Sequence, residues 1–277
     1  MSVTVESDHV FATVGGATLT LDLYRPSRGD APLVLYVHGG GWRSGDKADG
    51  STNRLAALAR HGITVASANY RLVPGTVFPG QLHDVKGAVR WLRAQGPSLG
   101  VNTDRIGIWG ASAGAYLGSL LALTQDNDAY EGDVGGNLHQ SSEVQAVVHW
   151  FGQSDLLVAG SRNDLEARLL PFAFEAGLLG VSSVADVVER ARELSLLRLA
   201  SSQAPPFLVA HGDRDHVVPP SEGIALHDAL SRAGADTQLV VVGGAGHEGP
   251  EFERPAMLAM TAAWLRAKLT TAEAAPE

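Results

Sequence analysis

The feature that most restricts the fold of this chain is a series of short apolar runs, each of which ends at a glycine-rich or polar segment. Apolar runs of roughly four to eight residues fit parallel strands that are buried on both faces of a sheet. Between the runs, apolar residues recur at steps of three and four, which indicates helices. The strand-like runs are Pro32–Val37, Ile63–Ala68, Ile106–Trp109, Val144–Phe151, Phe207–Ala210 and Leu239–Val242, and the helical patterns include Leu82–Leu92, Tyr116–Leu123 and Pro255–Leu269.

The order of these patterns predicts an α/β fold with one mostly parallel sheet and helices on both faces. The alternating segment Ala17–Tyr24 predicts one more strand, at an edge or half-buried. Between residues 154 and 200, helical spacing over Leu165–Leu170 and Val184–Leu199 occurs without strand patterns. We therefore expect residues 1–277 to form a single domain in which about 154–200 is a small helical cap insertion.

Composition and charge exclude several classes of protein. The chain contains no cysteine, which excludes disulfides, a thiol nucleophile and Cys-ligated metal sites. With 21 basic and 30 acidic residues its formal net charge is −9, which argues against nucleic acid as a partner. The N-terminus does not read as a signal peptide, and no apolar stretch has the roughly 18 residues of a membrane span. We expect a cytoplasmic protein without a membrane span, and the sequence leaves a homodimer open.

Ser112 stands in the pattern Gly110-Ala111-Ser112-Ala113-Gly114, directly after a strand pattern and before a helical one. A sharp strand-to-helix turn of this kind projects the serine hydroxyl above the sheet, and the two glycines avoid side-chain clashes within the turn. We interpret Ser112 as a candidate nucleophile. The alternative is an incidental serine in a glycine-rich turn.

A serine hydroxyl needs a base that accepts its proton, and the chain offers ten histidines. His247 lies in a glycine-rich loop after the last strand pattern, at the carboxyl edge where open α/β sheets build their sites. The base in turn needs an acidic partner, and both Asp213 and Asp215 follow the strand pattern Phe207–Ala210 at the same edge. Their positions alone do not distinguish the two aspartates.

The segment His38-Gly39-Gly40-Gly41-Trp42 follows another strand pattern, Pro32–Val37. Consecutive glycines let backbone N–H groups approach a ligand oxygen without interference from a Cβ atom. With the N–H of Ala113, these groups are candidates for binding the oxyanion that forms when a nucleophile attacks a carbonyl. A phosphate site is disfavoured because the segment lacks the Lys-Ser/Thr of a P-loop and the spacing of a dinucleotide-binding turn.

Together these motifs resemble the α/β-hydrolase superfamily and, within it, the HGGG-type carboxylesterases. The chain looks most similar to the BD-FAE-like group, near the hormone-sensitive-lipase-like carboxylesterases. The resemblance is carried by His38–Trp42, Asn69–Leu72, Phe78-Pro79, Asp84, Trp91-Leu92, Gly110–Gly114, His211–Pro219 and Gly246-His247.

The resemblance implies a role for each of several residues. It implies that the triad acid is Asp215 rather than Asp213, and that the reaction is hydrolysis of carboxylic esters without a metal or organic cofactor. We therefore expect a serine hydrolase that cleaves small-molecule, short-chain esters through an acyl-enzyme. The implied catalytic triad is Ser112, Asp215 and His247, and the implied oxyanion hole consists of the N–H groups of Gly40, Gly41 and Ala113.

Other assignments stay open at this point. Trp42, Trp150 and Phe151 are candidates for lining the acyl pocket, although aromatic residues at such positions are as often plain core. Arg71 and Asp84 either pair to brace the oxyanion loop or are each solvated. Two rival functions also remain: an amide hydrolase, such as a formamidase or a peptidase, and a non-catalytic ligand-binding protein on the same fold.

Overall fold

The computed structural model describes residues 1–27, 29–157 and 173–270, and their central element is an eight-stranded sheet. Its order is β1-β2-β4-β3-β5-β6-β7-β8; β2 is antiparallel to both its neighbours, and each pair from β4 to β8 is parallel. The strands are β1 (Val3–Val14), β2 (Ala17–Pro26), β3 (Leu33–Val37), β4 (Thr64–Ala68), β5 (Ile106–Ala111), β6 (Ala146–Trp150), β7 (Phe207–Gly212) and β8 (Thr237–Val242).

Helices cover both faces of this sheet. On one face, α2, α3 and α7 pack in one apolar cluster, and on the other α1 and α8 pack in a second cluster. The sequence of β3 is apolar throughout because both of its faces are buried: Leu35 points into the first cluster and Tyr36 into the second. The helices are α1 (Ala56–Arg60), α2 (Gly80–Gln95), α3 (Ala113–Leu123), α4 (Phe174–Leu179), α5 (Val188–Glu193), α6 (Leu196–Leu199), α7 (Pro220–Arg232) and α8 (Pro255–Leu269).

The topology determines where a site can form. Strand β3 lies between β4 and β5. After β3 the chain forms β4 on one side of it and then crosses over to form β5 on the other side. Such a switch point opens a crevice at the carboxyl ends of the strands. Val37 at the end of β3 lies opposite Gly110 of β5, and Ala111 lies opposite Trp150 of β6. The loops that follow β3, β5, β6, β7 and β8 therefore all leave from the same edge of the sheet, at the carboxyl ends of the strands.

The predicted mostly parallel sheet with helices on both faces is confirmed, but the sequence patterns did not indicate β1, α4 or α7. Strand β1 pairs with β2 through two register shifts, between Glu6 and His9 and between Val10 and Ala12, which break the regular alternation that marks a strand. Helix α7 buries few apolar residues, among them Leu226 and Leu230, so its apolar stripe is too sparse to stand out.

The described residues between 154 and 200 are helical in short pieces. The helical spacing over Val184–Leu199 corresponds to three short helical pieces: a 3₁₀ turn (Val184–Val187), α5 and α6. Ser195, between α5 and α6, has an extended backbone that interrupts the helix. The helix predicted over Leu165–Leu170 lies outside the described residues. In the parts of the chain that the structure describes, no helix is both long and apolar enough to cross a membrane.

Candidate active site

The turn between β5 and α3 holds Ser112 in a backbone conformation that L-residues rarely adopt. Its φ is 52° and its ψ is −119°, and α3 begins with the next residue, Ala113. Such a conformation is unfavourable for a residue with a Cβ, so the surroundings must impose it. The N–H of Ser112 is held by the carbonyl of Trp150 on the neighbouring strand at 2.9 Å.

The glycines on either side of Ser112 are required by close packing. A Cβ at Gly114 would lie 2.1 Å from the carbonyl oxygen of Val37, and a Cβ at Gly110 would lie 2.3 Å from the carbonyl oxygen of Gly114. Both distances are shorter than any real contact of a Cβ atom, so a larger residue would force the turn apart. This agrees with the interpretation of the Gly-x-Ser-x-Gly pattern as a tight strand-to-helix turn.

Loops that leave from the ends of β7 and β8 bring an aspartate and a histidine to this turn. Nε2 of His247 lies 3.0 Å from Oγ of Ser112, and Nδ1 of His247 lies 2.8 Å from Oδ2 of Asp215. Asp213 has a different partner, because its Oδ1 accepts the N–H of Gly244 at 2.6 Å. The geometry thus distinguishes two aspartates that the sequence patterns alone could not.

The carboxylate of Asp215 is buried and surrounded by N–H donors. Oδ1 accepts the backbone N–H groups of Val217 and Val218, each at 2.9 Å. Oδ2 faces His247 and also Nε2 of His211, which lies 3.2 Å away. Burial by itself raises the pKa of this carboxyl, but the hydrogen bonds from His211, His247 and the backbone outweigh it and hold the pKa of Asp215 well below its usual range. Asp215 is therefore ionised at every pH at which the protein would work.

Gly40 and Gly41 line the same cavity as Ser112. Gly40 and Gly41 have φ values of 104° and 59°, which favour glycine, and Ala113 is the first residue of α3, whose N–H has no acceptor within the helix. Within the described residues, none of these three N–H groups donates to another backbone carbonyl. They therefore remain available to a ligand oxygen.

The loop that carries Gly40 and Gly41 is braced from three directions. Trp42 donates its indole N–H to the carbonyl of Ala113 at 3.1 Å, and Ser44 donates its hydroxyl to the carbonyl of Gly40 at 3.1 Å. The hydroxyl of Tyr70 donates to the carbonyl of His38 at 3.1 Å, and the two rings stack with centroids 4.4 Å apart. The loop is thus tied to the strand-to-helix turn on one side and to the segment after β4 on the other.

Arg71 and Asp84 form a pair rather than two solvated charges. Nη2 of Arg71 lies 2.6 Å from Oδ1 of Asp84, and the backbone N–H of Arg71 donates to the same carboxylate at 2.8 Å. The pair anchors the segment whose Val73 N–H donates to the carbonyl of Trp42 at 2.8 Å. Of the two open interpretations of Arg71 and Asp84, the paired one is therefore observed, and the pair connects to the loop that carries Gly40 and Gly41 through Trp42.

A cavity of about 220 Å³ opens beside the Ser112 hydroxyl. Phe174, at the start of α4, forms part of its wall and rests directly on the loop that carries Gly40 and Gly41, because a Cβ at Gly41 would lie 2.3 Å from Cδ1 of its ring. The residues that line the cavity are Gly40, Gly41, Ser44, Ser112, Gln153, Phe174, Val217, Val218, His247 and Glu248.

The three aromatic candidates for the acyl pocket lie behind this cavity and do not line it. Trp42, Trp150 and Phe151 are all fully buried. Trp42 braces the turn after Ser112, as described above. Phe151 packs edge-on against the imidazole of His247, with ring centroids 5.2 Å apart, and Trp150 lies against Phe151. These rings support the residues around the cavity, whereas Phe174 and Gln153, which the sequence patterns did not indicate, form its wall.

Arg54 was also missed from the sequence, because an arginine in a helical pattern carries no signal of a distant role. Its guanidinium is buried and donates to Tyr36 Oη at 2.8 Å, to Glu248 Oε1 at 3.0 Å and to Glu253 Oε1 at 3.2 Å. Glu248 is the residue after His247. Arg54 therefore links the loop that carries His247 to Tyr36 of β3.

Among the described residues, no three or more His, Asp or Glu side chains are grouped so that they could hold a metal ion. The arrangement that remains is a hydroxyl, an imidazole and a carboxylate in hydrogen-bonded series, in a cavity that Gly40 and Gly41 also line. Chemically, such a group of residues can activate a nucleophile and stabilise a negatively charged oxygen.

The parallel sheet, its switch point and the strained serine turn define a protein of the α/β-hydrolase fold. The BD-FAE family model matches residues 21–230, and the chain belongs to this family.

Individual relatives agree with this placement. The chain is 31% identical over 228 residues to esterase LipQ of Mycobacterium tuberculosis. The matched region covers 80% of this chain but only 52% of LipQ, so the chain spans about half the length of that relative. It is 30% identical over 249 residues to ethyl acetate hydrolase of Pseudomonas putida, covering 87% of this chain and 74% of the relative. A truncated carbohydrate esterase from gut microbiota superposes with a TM-score of 0.87 at 26% identity and 97% coverage of both chains.

Proposed function

We propose that this protein is a serine hydrolase of carboxylic esters, with Ser112, His247 and Asp215 as its catalytic triad. The observation that carries the proposal is the continuous series of contacts from Ser112 Oγ through His247 to Asp215, at 3.0 and 2.8 Å. The backbone amides of Gly40, Gly41 and Ala113, which donate to no backbone carbonyl among the described residues, support it. The proposal is also supported by relatives that are themselves described as an esterase and as an ethyl acetate hydrolase.

In the first half of the proposed reaction, Oγ of Ser112 attacks the ester carbonyl while Nε2 of His247 accepts its proton. The ionised carboxylate of Asp215 keeps the N–H of His247 on Nδ1, so that Nε2 is free to act as the base, and it stabilises the imidazolium that forms. The N–H groups of Gly40, Gly41 and Ala113 bind the oxyanion of the tetrahedral intermediate. His247 then protonates the departing alcohol, and the acyl group stays on Ser112.

In the second half, water takes the place of the alcohol. His247 accepts a proton from the water, whose oxygen attacks the acyl carbonyl, and the same three amides bind the second oxyanion. Collapse of this intermediate returns the proton from His247 to Oγ of Ser112 and releases the carboxylic acid. No step requires a group other than these residues, water and substrate.

The size and lining of the cavity support a short, weakly polar substrate. About 220 Å³ is at the small end for a ligand pocket and leaves little room for a long acyl chain. Phe174, Val217 and Val218 supply apolar wall, and Gln153 and Glu248 supply polar groups. We therefore propose a small-molecule ester with an acyl group of a few carbons as the substrate class.

The assay that tests this function compares p-nitrophenyl acetate and butyrate with the matched amide p-nitroacetanilide. We expect ester turnover to exceed amide turnover, and Ser112→Ala to lower kcat by on the order of 10⁵–10⁶-fold. An organophosphonate should label the wild type stoichiometrically at Ser112 and leave Ser112→Ala unlabelled. A Ser112→Ala variant that keeps most of the wild-type rate, or an amide rate above the ester rate, would reject the proposal.

We also propose that the whole chain forms one domain, with the described parts of 154–200 acting as its cap. The support is that Phe78 N–H donates to the carbonyl of Leu178 at 2.8 Å and Tyr116 Oη donates to that of Leu194 at 2.9 Å, which ties this segment to the loop before α2 and to α3. A cytoplasmic setting and a homodimer stay predictions.

A further inference from the structure

His211 is a buried histidine that the proposed reaction does not use. It lies on β7 and is 1% exposed. Its Nε2 is 2.9 Å from the carbonyl oxygen of Val218 and 3.2 Å from Oδ2 of Asp215. Its other ring nitrogen, Nδ1, has no hydrogen-bond partner among the described residues. The ring thus has one nitrogen at the acid of the triad and one without a hydrogen-bond partner among the described residues.

These contacts determine which nitrogen of His211 carries a proton. Nε2 faces two oxygen acceptors, a carbonyl and an ionised carboxylate, so it must be the N–H donor. Nδ1 faces the backbone of α7, where a Cβ at Gly223 would lie 2.8 Å from it, and a proton there would be a buried donor without an acceptor. The contacts therefore place an N–H of His211 on Nε2, directed towards Val218 and Asp215.

Oδ2 of Asp215 then receives two imidazole N–H groups, one from His247 at 2.8 Å and one from His211. We propose that His211 is a positioning residue that fixes Oδ2 of Asp215 in line with His247 and, by sharing this oxygen, weakens its pull on the proton of His247. The inference rests on the proposed function, in which His247 must release a proton in each half-reaction. A carboxylate that held the imidazolium too strongly would slow that release.

Among the described residues, no other ionisable group near His211 takes this role. His149, on the adjacent β6, is bonded through Nδ1 to Ser119 Oγ at 2.8 Å and through Nε2 to the carbonyl of Gly152 at 3.1 Å. Burial lowers the pKa of His149 to about 4, so it is neutral in the working range. Glu222, next to Gly223 on α7, directs Oε2 to the N–H and hydroxyl of Ser154, both at 2.9 Å. The ionised group that faces His211 is thus Asp215.

The experiment compares His211→Leu, which removes the donor, with His211→Gln, whose side-chain amide can present an N–H at the same place. The acid limb of the pH profile of kcat/KM reports the pKa of the catalytic base in the free enzyme. In His211→Leu we expect this limb to move to higher pH by roughly half a unit or more, because Oδ2 of Asp215 loses a competing donor. We expect kcat of this variant to fall by on the order of tenfold, and His211→Gln to restore both quantities towards wild type.

A second measurement follows the ring protons of His247 by NMR in a pH titration and needs no turnover. The apparent pKa of His247 should rise in His211→Leu and return in His211→Gln, while His149→Gln, a buried histidine without contact to Asp215, should leave it in place. The proposal is overturned if His247 titrates identically in wild type and His211→Leu, or if the Gln and Leu variants shift it equally. If the Ser112→Ala test failed, the proposed esterase function would be rejected. The titration of His247 would still test separately whether His211 acts on His247 through Asp215.

Discussion

Nη1 of Arg54 lies 3.0 Å from Oε1 of Glu248, although the two residues are 194 positions apart in the chain. Arg54 stands just before α1 on one side of the sheet, and Glu248 follows the proposed catalytic base. The same guanidinium also donates to Glu253, so that one buried cation bonds to two points on the loop. The position of His247 therefore depends on a contact that lies outside the triad.

Replacing this arginine should impair catalysis without removing a triad residue. Arg54→Lys keeps the charge but cannot donate in several directions from a planar group. We expect kcat/KM for p-nitrophenyl acetate to fall on the order of tenfold or more, because small displacements of a catalytic group are costly. The matched control is Arg254→Lys, whose side chain pairs with Glu251 on the exposed side of the same segment and should leave kcat/KM unchanged. Equal effects of the two substitutions would contradict the role of Arg54.

Substitution of the two nearby aspartates should separate their roles. Asp215→Asn would place a donor or a weaker acceptor opposite Nδ1 of His247 and favour the wrong tautomer, so we expect kcat to fall by about 10⁴-fold. Asp213→Asn keeps an oxygen for the N–H of Gly244 and should stay within a few-fold of wild type. Steady-state assays of both variants on one ester, after both are shown to be folded by circular dichroism, check this. A larger loss in Asp213→Asn would reverse the assignment of the acid.

The stability of the protein should depend on pH through Asp215. Its pKa in the folded state is held below the unfolded value of about 3.9, so the stabilisation is fully present above that value and is lost as pH falls towards the folded pKa. At pH 7 we expect Asp215→Asn to lower the free energy of unfolding by about 1–3 kcal/mol. The difference in Tm between wild type and this variant, measured by calorimetry, should be constant above about pH 5 and shrink below about pH 4. A difference that grows on acidification would have the wrong sign.

Phe174 should set the length of acyl chain that the cavity accepts. Phe174→Ala removes the ring that rests on Gly41 and forms part of the wall, so the cavity should widen. We expect the ratio of kcat/KM for p-nitrophenyl hexanoate to that for the acetate to rise roughly tenfold. Val77→Ala, at an exposed residue that contacts Gly180 after α4 but does not line the cavity, serves as the control and should keep the wild-type ratio. An unchanged ratio in Phe174→Ala would show that chain length is selected elsewhere.

Much of the fold could be predicted from local patterns, because burial of one or both faces of an element imposes a regular spacing of apolar residues on the sequence. The residues of β3 read as a strand buried on both faces, and all five are inaccessible to solvent. The glycines around Ser112 were recognisable for a similar reason, since a tight turn between a strand and a helix excludes side chains at both positions. Patterns failed where periodicity was weak, as in the bulged β1 and the sparsely apolar α7.

The candidate site likewise has features that could be predicted from the sequence and features that only the tertiary structure decided. That Ser112, His247 and an aspartate leave from the carboxyl ends of strands could be predicted from the sequence, because parallel strands place those ends at a common edge. Which aspartate meets His247 was decided by the fold, since Asp213 and Asp215 differ only in how one loop presents them to Gly244 and His247. The burial of Trp42 behind the cavity and the reach of Arg54 to Glu248 were likewise decided by packing. Contacts between segments that are far apart in the chain depend on how the sheet, helices and loops pack together, which no local period in the sequence records.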